Sequence, residues 1–274
     1  MKQRWISYPY IVWMLIFIVV PLLLVLFYSF TIQTDEGIRL TFEHYQRFLD
    51  PIYINVLIRS VVLALISTGI CLVVGYPFSM ILASKDFNSK KIMLMLVVVP
   101  MWMNFLLRTY AWMTLLERNG IINSILSALS LPHLNILYTQ NAVILGMVYN
   151  FLPFMILPIY SVMSKIDQSM IEAAEDLGGN SFTVFKRVIF PLSLPGVLSG
   201  FTMVFLPAVT TFVISRLLGG GQFMLIGNVI EQQFLSTGDW SFGSALSVIM
   251  MILILFSMGI MSKYEQEHGG GGLW

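Results

Sequence analysis

Long apolar runs separated by short polar stretches dominate this chain. Six of them, roughly Tyr10–Phe30, Leu57–Ala83, Ile92–Leu116, Ala142–Met163, Leu194–Ser215 and Ser244–Met261, reach the length of about 20 residues that a helix needs to cross the hydrocarbon core. Inside lipid every backbone polar group must be paired within the protein, which leaves only helices or a closed barrel. Barrel strands alternate apolar and polar residues over about ten positions. Runs such as Leu94-Met95-Leu96-Val97-Val98-Val99 are instead continuous, so helices are expected. The reading is an all-α integral membrane protein with six transmembrane helices, one transmembrane domain over residues 1–268 and a flexible tail, Gly269–Trp274. Met1-Lys2-Gln3-Arg4 precedes the first run, as in a secretory signal, but a signal's apolar core is only about 7–15 residues. The run from Tyr8 to Phe30 is longer and reads as a retained span.

Orientation follows from the basic residues, which concentrate on the cytoplasmic side. With the N-terminus inside, Lys2, Arg4, Lys85, Lys90, Lys91, Lys165, Lys186, Arg187 and Lys263 lie inside, against Arg39, Arg47, Arg118 and Arg216 outside. Both termini are therefore expected in the cytoplasm. The outer segment Gly120–Leu131 places Ile121, Ile122, Ile125, Leu126 and Leu129 at helical spacing, ended by Pro132. It reads equally as an interfacial helix or a packed loop helix. The last outer loop turns at Gly219-Gly220-Gly221, and Phe223–Phe234 is too short to span, so re-entry at a pore mouth is open to it.

Composition agrees with lipid as the solvent: 57% of residues are hydrophobic and 11% charged, against roughly 25% charged in soluble domains. A net charge of +1 gives no footprint for nucleic acid. The single cysteine, Cys71, excludes an intramolecular disulfide, and His44, His133 and His268 match no metal-ligand spacing. No catalytic residue set stands out.

The inner loop Ser164–Ser193 carries the most information. Ser169 and Glu172 have capping-box spacing, Gly178 and Gly179 can end a short helix, and Asn180 or Ser181 can cap a second, Phe182–Phe190, closed by Pro191. Glu172-Ala173-Ala174, then Gly178, then Val188-Ile189-Phe190-Pro191 resembles the EAA loop of ATP-binding-cassette importer permeases, with Val188 and Phe190 in the family's Ile and Leu places. The resemblance implies a type I importer permease, multi-pass in the bacterial inner membrane, whose Glu172, Ala173, Ala174 and Gly178 dock into an ATPase subunit. It also implies the partners: a second homologous permease, two ATPase subunits and an extracytoplasmic substrate-binding protein. The chain has no Gly-Lys dipeptide and hence no P-loop, so no cofactor is expected on it; ATP and Mg belong to the partner ATPase.

Five further segments, Leu40–Tyr53, Gly75-Tyr76-Pro77-Phe78, Val99–Trp112, Leu225–Phe234 and Gly238–Ser247, resemble the spermidine/putrescine permeases within that class. The implied cargo is a small polycation. Such a cation wants carboxylates, ring faces and polar oxygens along its path. The candidates are Trp102, Asn104, Arg108, Tyr110, Tyr149, Asn150, Phe212, Ser215, Arg216 and Glu231. Trp112 reads as an interface-belt aromatic. Arg108, charged within a span, should face protein or water and have a partner. Arg216 and Glu231 are expected to pair across the last outer loop; in similar permeases an acid stands first and a base second, so the signs are reversed here. Competing readings are an importer permease for another solute, a stand-alone secondary transporter, for which internal repeats would be wanted, and a membrane enzyme.

Overall fold

The computed structural model describes residues 8–34, 37–84 and 90–268. Lys2, Arg4, Asp35, Glu36, Lys85 and the tail 269–274 lie outside the described residues, as does the retained-or-cleaved question at Met1–Arg4. The chain runs through α1 (Tyr8–Ser29), a hairpin of β1 (Thr31–Thr34) and β2 (Gly37–Leu40), α2 (Glu43–Phe48), α3 (Pro51–Ala83), α4 (Lys90–Trp102), α5 (Phe105–Leu116) and α6 (Ile121–Ala128). Then follow α7 (Gln140–Met163), α8 (Gln168–Asp176), α9 (Ser181–Thr210), α10 (Val213–Leu218), α11 (Ile226–Gln232) and α12 (Trp240–His268). Among the described residues five helices are long and apolar enough to cross a membrane, or six if α4 and its bent continuation count as one span.

The centre is a bundle of α3, α7 and α9, packed on one another along their lengths. Leu63 and Ala64, Met147, Met155 and Ile159, and Val204 and Ala208 are fully buried between them. Lipid is as apolar as leucine, so helices in it are held by close packing and interhelical hydrogen bonds rather than by a hydrophobic driving force. Both devices are present. A Cβ on Gly196 of α9 would lie 2.9 Å from the Pro158 carbonyl oxygen and 3.0 Å from Ile159 Cα, so only glycine permits this approach to α7. Ser79 Oγ donates to Ile156 O at 3.0 Å, and the Tyr76 and Ser193 hydroxyls lie 2.8 Å apart, tying α3 to α7 and α9. α1 packs on α12, which packs on α9. The bundle thus has two ends: one bearing the hairpin, α2, α10 and α11, the other bearing α8.

Three sequence expectations are corrected. The third span is not one straight helix: α4 and the helix after it are bent by 98° at Trp102-Met103-Asn104. Pro100 supplies no N–H to the turn before it, Met103 N closes back on Pro100 O at 3.2 Å, and Asn104 Oδ1 starts α5 by accepting from Leu106 N at 2.8 Å. The fifth span begins at Ser181, not Leu194, and stops at Thr210, where Thr211 turns extended and Val213 opens a separate helix. Pro191 does not close a helix Phe182–Phe190, because a π turn over Phe185–Ile189 carries the chain through it into α9. A wider turn is one way to accommodate the N–H a proline lacks.

Candidate functional site

At the α8 end, Asp167 Oδ1 accepts from Ser169 N at 3.0 Å, so the cap lies two residues before the Ser169 expected from the sequence. Asn180 Oδ1 caps the next helix through Thr183 N at 2.8 Å. Between them Gly178 adopts φ +82°, with open space where a Cβ would sit, and Gly179 N donates to Ala174 O at 3.0 Å. Ile171 and Ala174 turn partly toward the bundle, whereas Glu172, Ala173 and Gly178 face out. The sequence reading missed the apolar part of this surface: Leu177 is 90% exposed and Phe182 71% exposed, on either side of the glycine elbow. Helical spacing from Ala173 to Leu177 is the signal that could have found the first.

At the hairpin end, Arg216 Nη1 lies 2.8 Å from Glu231 Oε1, as the sequence suggested. The arginine side chain is 58% exposed and the glutamate 12%. Glu231 Oε2 is buried without a hydrogen-bond partner among the described residues. Glu231, Thr210, Phe212 and Phe234 are among the residues that line a mostly apolar cavity of about 410 Å³. On the other side of the pair, Ser215, Arg216, Asn228 and Gln232 line a smaller cavity of about 240 Å³. Ser215 is fully buried, and its hydroxyl lies 2.5 Å from Asn228 Oδ1, so it is committed to packing. Gly220 and Gly221, at φ +60° and +73°, make the expected sharp turn. α11 re-enters the protein with Leu225, Ile226 and Val229 buried.

The remaining path candidates are not in these cavities. Trp102 is 82% exposed at the bend, and Asn104 is spent as the α5 cap. Tyr110 is exposed on α5. Trp112 meets Tyr149 edge-on with ring centroids 5.2 Å apart. Asn150 is buried and donates through Nδ2 to Gly146 O at 2.9 Å. Arg108 is 7% exposed, and its Nε and Nη1 have no partner among the described residues, so the partner expected for it is not found there. Its helix, α5, leans on α10.

A second ion pair joins the first loop to the last span: Arg47 Nη1 lies 2.8 Å from Asp239 Oδ2 while its guanidinium sits 4.0 Å from the Phe242 ring centroid. Burial pulls the Arg47 pKa down, but hydrogen bonds to Asp239 and Tyr53 outweigh it and hold the pKa above its ordinary value. α6 is half claimed by the protein: Asn123 Nδ2 bonds Glu117 O and Leu134 O, each at 3.0 Å, while Ile121, Ile125 and Leu129 stay exposed.

A mostly apolar helical bundle with a glycine elbow facing out at one end and an ion-paired, re-entrant turn at the other has the build of a membrane permease. The chain belongs to the binding-protein-dependent transport system inner membrane components, whose sequence pattern matches residues 75–266. It is 41% identical over 254 residues to the spermidine/putrescine transport system permease protein PotB of Escherichia coli (strain K12), covering 91% of each chain. It is 42% identical to the protein of the same name from Haemophilus influenzae, covering 89% of this chain and 88% of that one. In fold it is similar to the bacterial transporter that imports the acidic polysaccharide alginate (TM-score 0.74, 18% identity, 96% of each chain). It is similar too to the alginate transporter in complex with its pentasaccharide-bound periplasmic protein (TM-score 0.77, 17% identity, 99% of this chain and 98% of that one).

Proposed function

We propose that this permease carries spermidine and putrescine inward as one of two homologous membrane subunits, driven by two ATPase subunits and supplied by an external binding protein. The observation that carries the cargo assignment is the 41% identity to a spermidine/putrescine permease along 91% of both chains. The geometry agrees with it. Glu231, one of whose carboxylate oxygens has no partner among the described residues, lines one cavity with Phe212 and Phe234, and together they offer an aliphatic ammonium a counter-charge and ring faces. Arg216, competing for the same carboxylate, keeps that hold weak enough for release.

The α8 end is the cytoplasmic end, and Glu172, Ala173 and Gly178, with Leu177 and Phe182 as apolar anchors, dock in the ATPase. Exposed apolar side chains beside a rigid elbow support this, since buried apolar anchors carry most of the energy of an interface. ATP and Mg are held by those partners, not by this chain. Trp102, Tyr110 and Tyr149 line the route on the side of the second permease.

The test is reconstitution of the four-subunit complex in vesicles, with ATP inside and binding protein outside. Uptake of labelled spermidine that needs ATP and is lost on Glu231→Gln supports the reading. Uptake of sulfate or a sugar in place of the amine overturns the cargo.

A further inference from the structure

Three buried polar side chains converge where α10 meets α11. Asn228 Oδ1 accepts from Leu225 N at 3.0 Å, and its Nδ2 donates to Phe212 O at 2.8 Å. The Ser215 hydroxyl, 2.5 Å from Asn228 Oδ1 and 3.0 Å from Phe212 O, closes the set. Ile226 N then donates to Ser60 Oγ of α3 at 2.8 Å, and the Ser60 hydroxyl itself donates to Val56 O at 2.8 Å. Ser60 and Ser215 are fully buried and Asn228 nearly so. The bonds from Ile226 N to Ser60, from Leu225 N to Asn228 and between Ser215 and Asn228 are buried, so each is expensive to leave unmade.

The arrangement fixes the mouth as a unit. Phe212 is held by its carbonyl, Arg216 follows Ser215 in the chain, and Glu231 stands three residues after Asn228 on the same helix. The unit hangs on α3. That helix is continuous from Pro51 to Ala83, and at about 1.5 Å per residue Ser60 and Ser79 are about 28 Å apart along it. Near its other end Ser79 and Tyr76 grip α7 and α9. Met80 and Ala83 there share a cavity of about 390 Å³ with Ile171 of α8 and Ile189 of α9. One helix therefore reaches the mouth near one end and, at the other, borders a cavity that the α8 segment also lines.

We infer that Ser60 and Asn228 are positioning residues that fasten the mouth to α3, so that α10 and α11 move with that helix as one rigid body when the ATPase end moves. The inference rests on the importer reading for its driving force. It is tested on the full complex in vesicles by the ATP hydrolysed per spermidine imported. Ser60→Ala should raise that ratio about fivefold or more, by loss of one buried hydrogen bond, while hydrolysis stays near the native rate. Ser60→Thr, which keeps the hydroxyl, should restore it. A defect of folding alone would lower hydrolysis and uptake together and leave the ratio unchanged, and that result overturns the inference.

A second measurement does not need the cargo. With Cys71→Ser as background, spin labels at Ile58→Cys on α3 and Gln232→Cys on α11 should keep one distance in the nucleotide-free and ATP-bound complex. Ser60→Ala or Asn228→Asp should broaden or shift it. A nucleotide-driven change of that distance in the otherwise native protein contradicts the rigid unit. Absent spermidine uptake by the native complex instead counts against the cargo and leaves the distance test decisive for the inference.

Discussion

Arg216 and Glu231 are joined at 2.8 Å, yet the two partners live in different surroundings, the guanidinium mostly in the open and the carboxylate nearly enclosed. An exposed partner makes such a pair worth only about 0–1 kcal/mol to stability. Its consequence should appear in transport. Arg216→Glu and Glu231→Arg, each placing like charges together, should lower spermidine uptake about tenfold, and the double reversal should recover most of it. The unfolding temperature of the purified complex should fall more for Glu231→Arg, which puts a guanidinium in the nearly enclosed position, than for Arg216→Glu at the open one. Normal uptake by both single reversals would remove the pair from the pathway.

The coupling surface proposed at α8 has a different signature. Leu177→Ala and Phe182→Ala should weaken ATPase binding about tenfold or more each, as truncated apolar anchors do. Retention of the ATPase on the tagged permease during purification measures this. Gly178→Ala should cost about 1–2 kcal/mol through its left-handed backbone, not through a clash, since nothing fills the space beside it.

Packing at the bundle centre gives a stability test independent of transport. Gly196→Ala pushes a methyl against the Pro158 carbonyl and Ile159 Cα, neither of which can swing aside. The expected loss is about 1–3 kcal/mol, read as a lower unfolding temperature in detergent. The same change at Gly259, which has open space, should be neutral or slightly stabilising.

Arg47 should hold α2 against α12 from neutral into basic solution. Its pKa is raised in the folded protein, so its contribution is complete below the unfolded pKa and fades only as pH rises through the folded one, in strongly basic solution. Hydrogen exchange of residues 43–48 should therefore show no pH-dependent loosening beyond the chemical rate near neutrality. Arg47→Met should speed it by losing both the Asp239 bond and the contact with Phe242.

The sequence made the apolar spans legible because lipid demands length and continuity, which are local properties. It also made the Arg216–Glu231 pair legible, as opposite charges flanking one turn-rich loop. The break at Trp102–Asn104 was not, because proline alone does not mark one: Pro77, Pro153, Pro158 and Pro195 all sit inside unbroken helices. Only packing decides which proline ends a helix. Asn228 and Ser60 stand 168 positions apart in an apolar background, so their shared hold on the α10–α11 unit required the fold. Leu177 and Phe182 read as ordinary apolar residues until the elbow at Gly178 left both of them facing out.

The docking of the α8 end on a nucleotide-hydrolysing partner is tested most directly by crosslinking from Ala173→Cys in a Cys71→Ser background, in intact cells and in the purified complex. The expected result is a covalent adduct with the ATPase subunit, with Ala173→Cys shielded from membrane-impermeant thiol reagents added outside. Labelling of that position from outside the cell, with no adduct to the ATPase, would contradict the assignment.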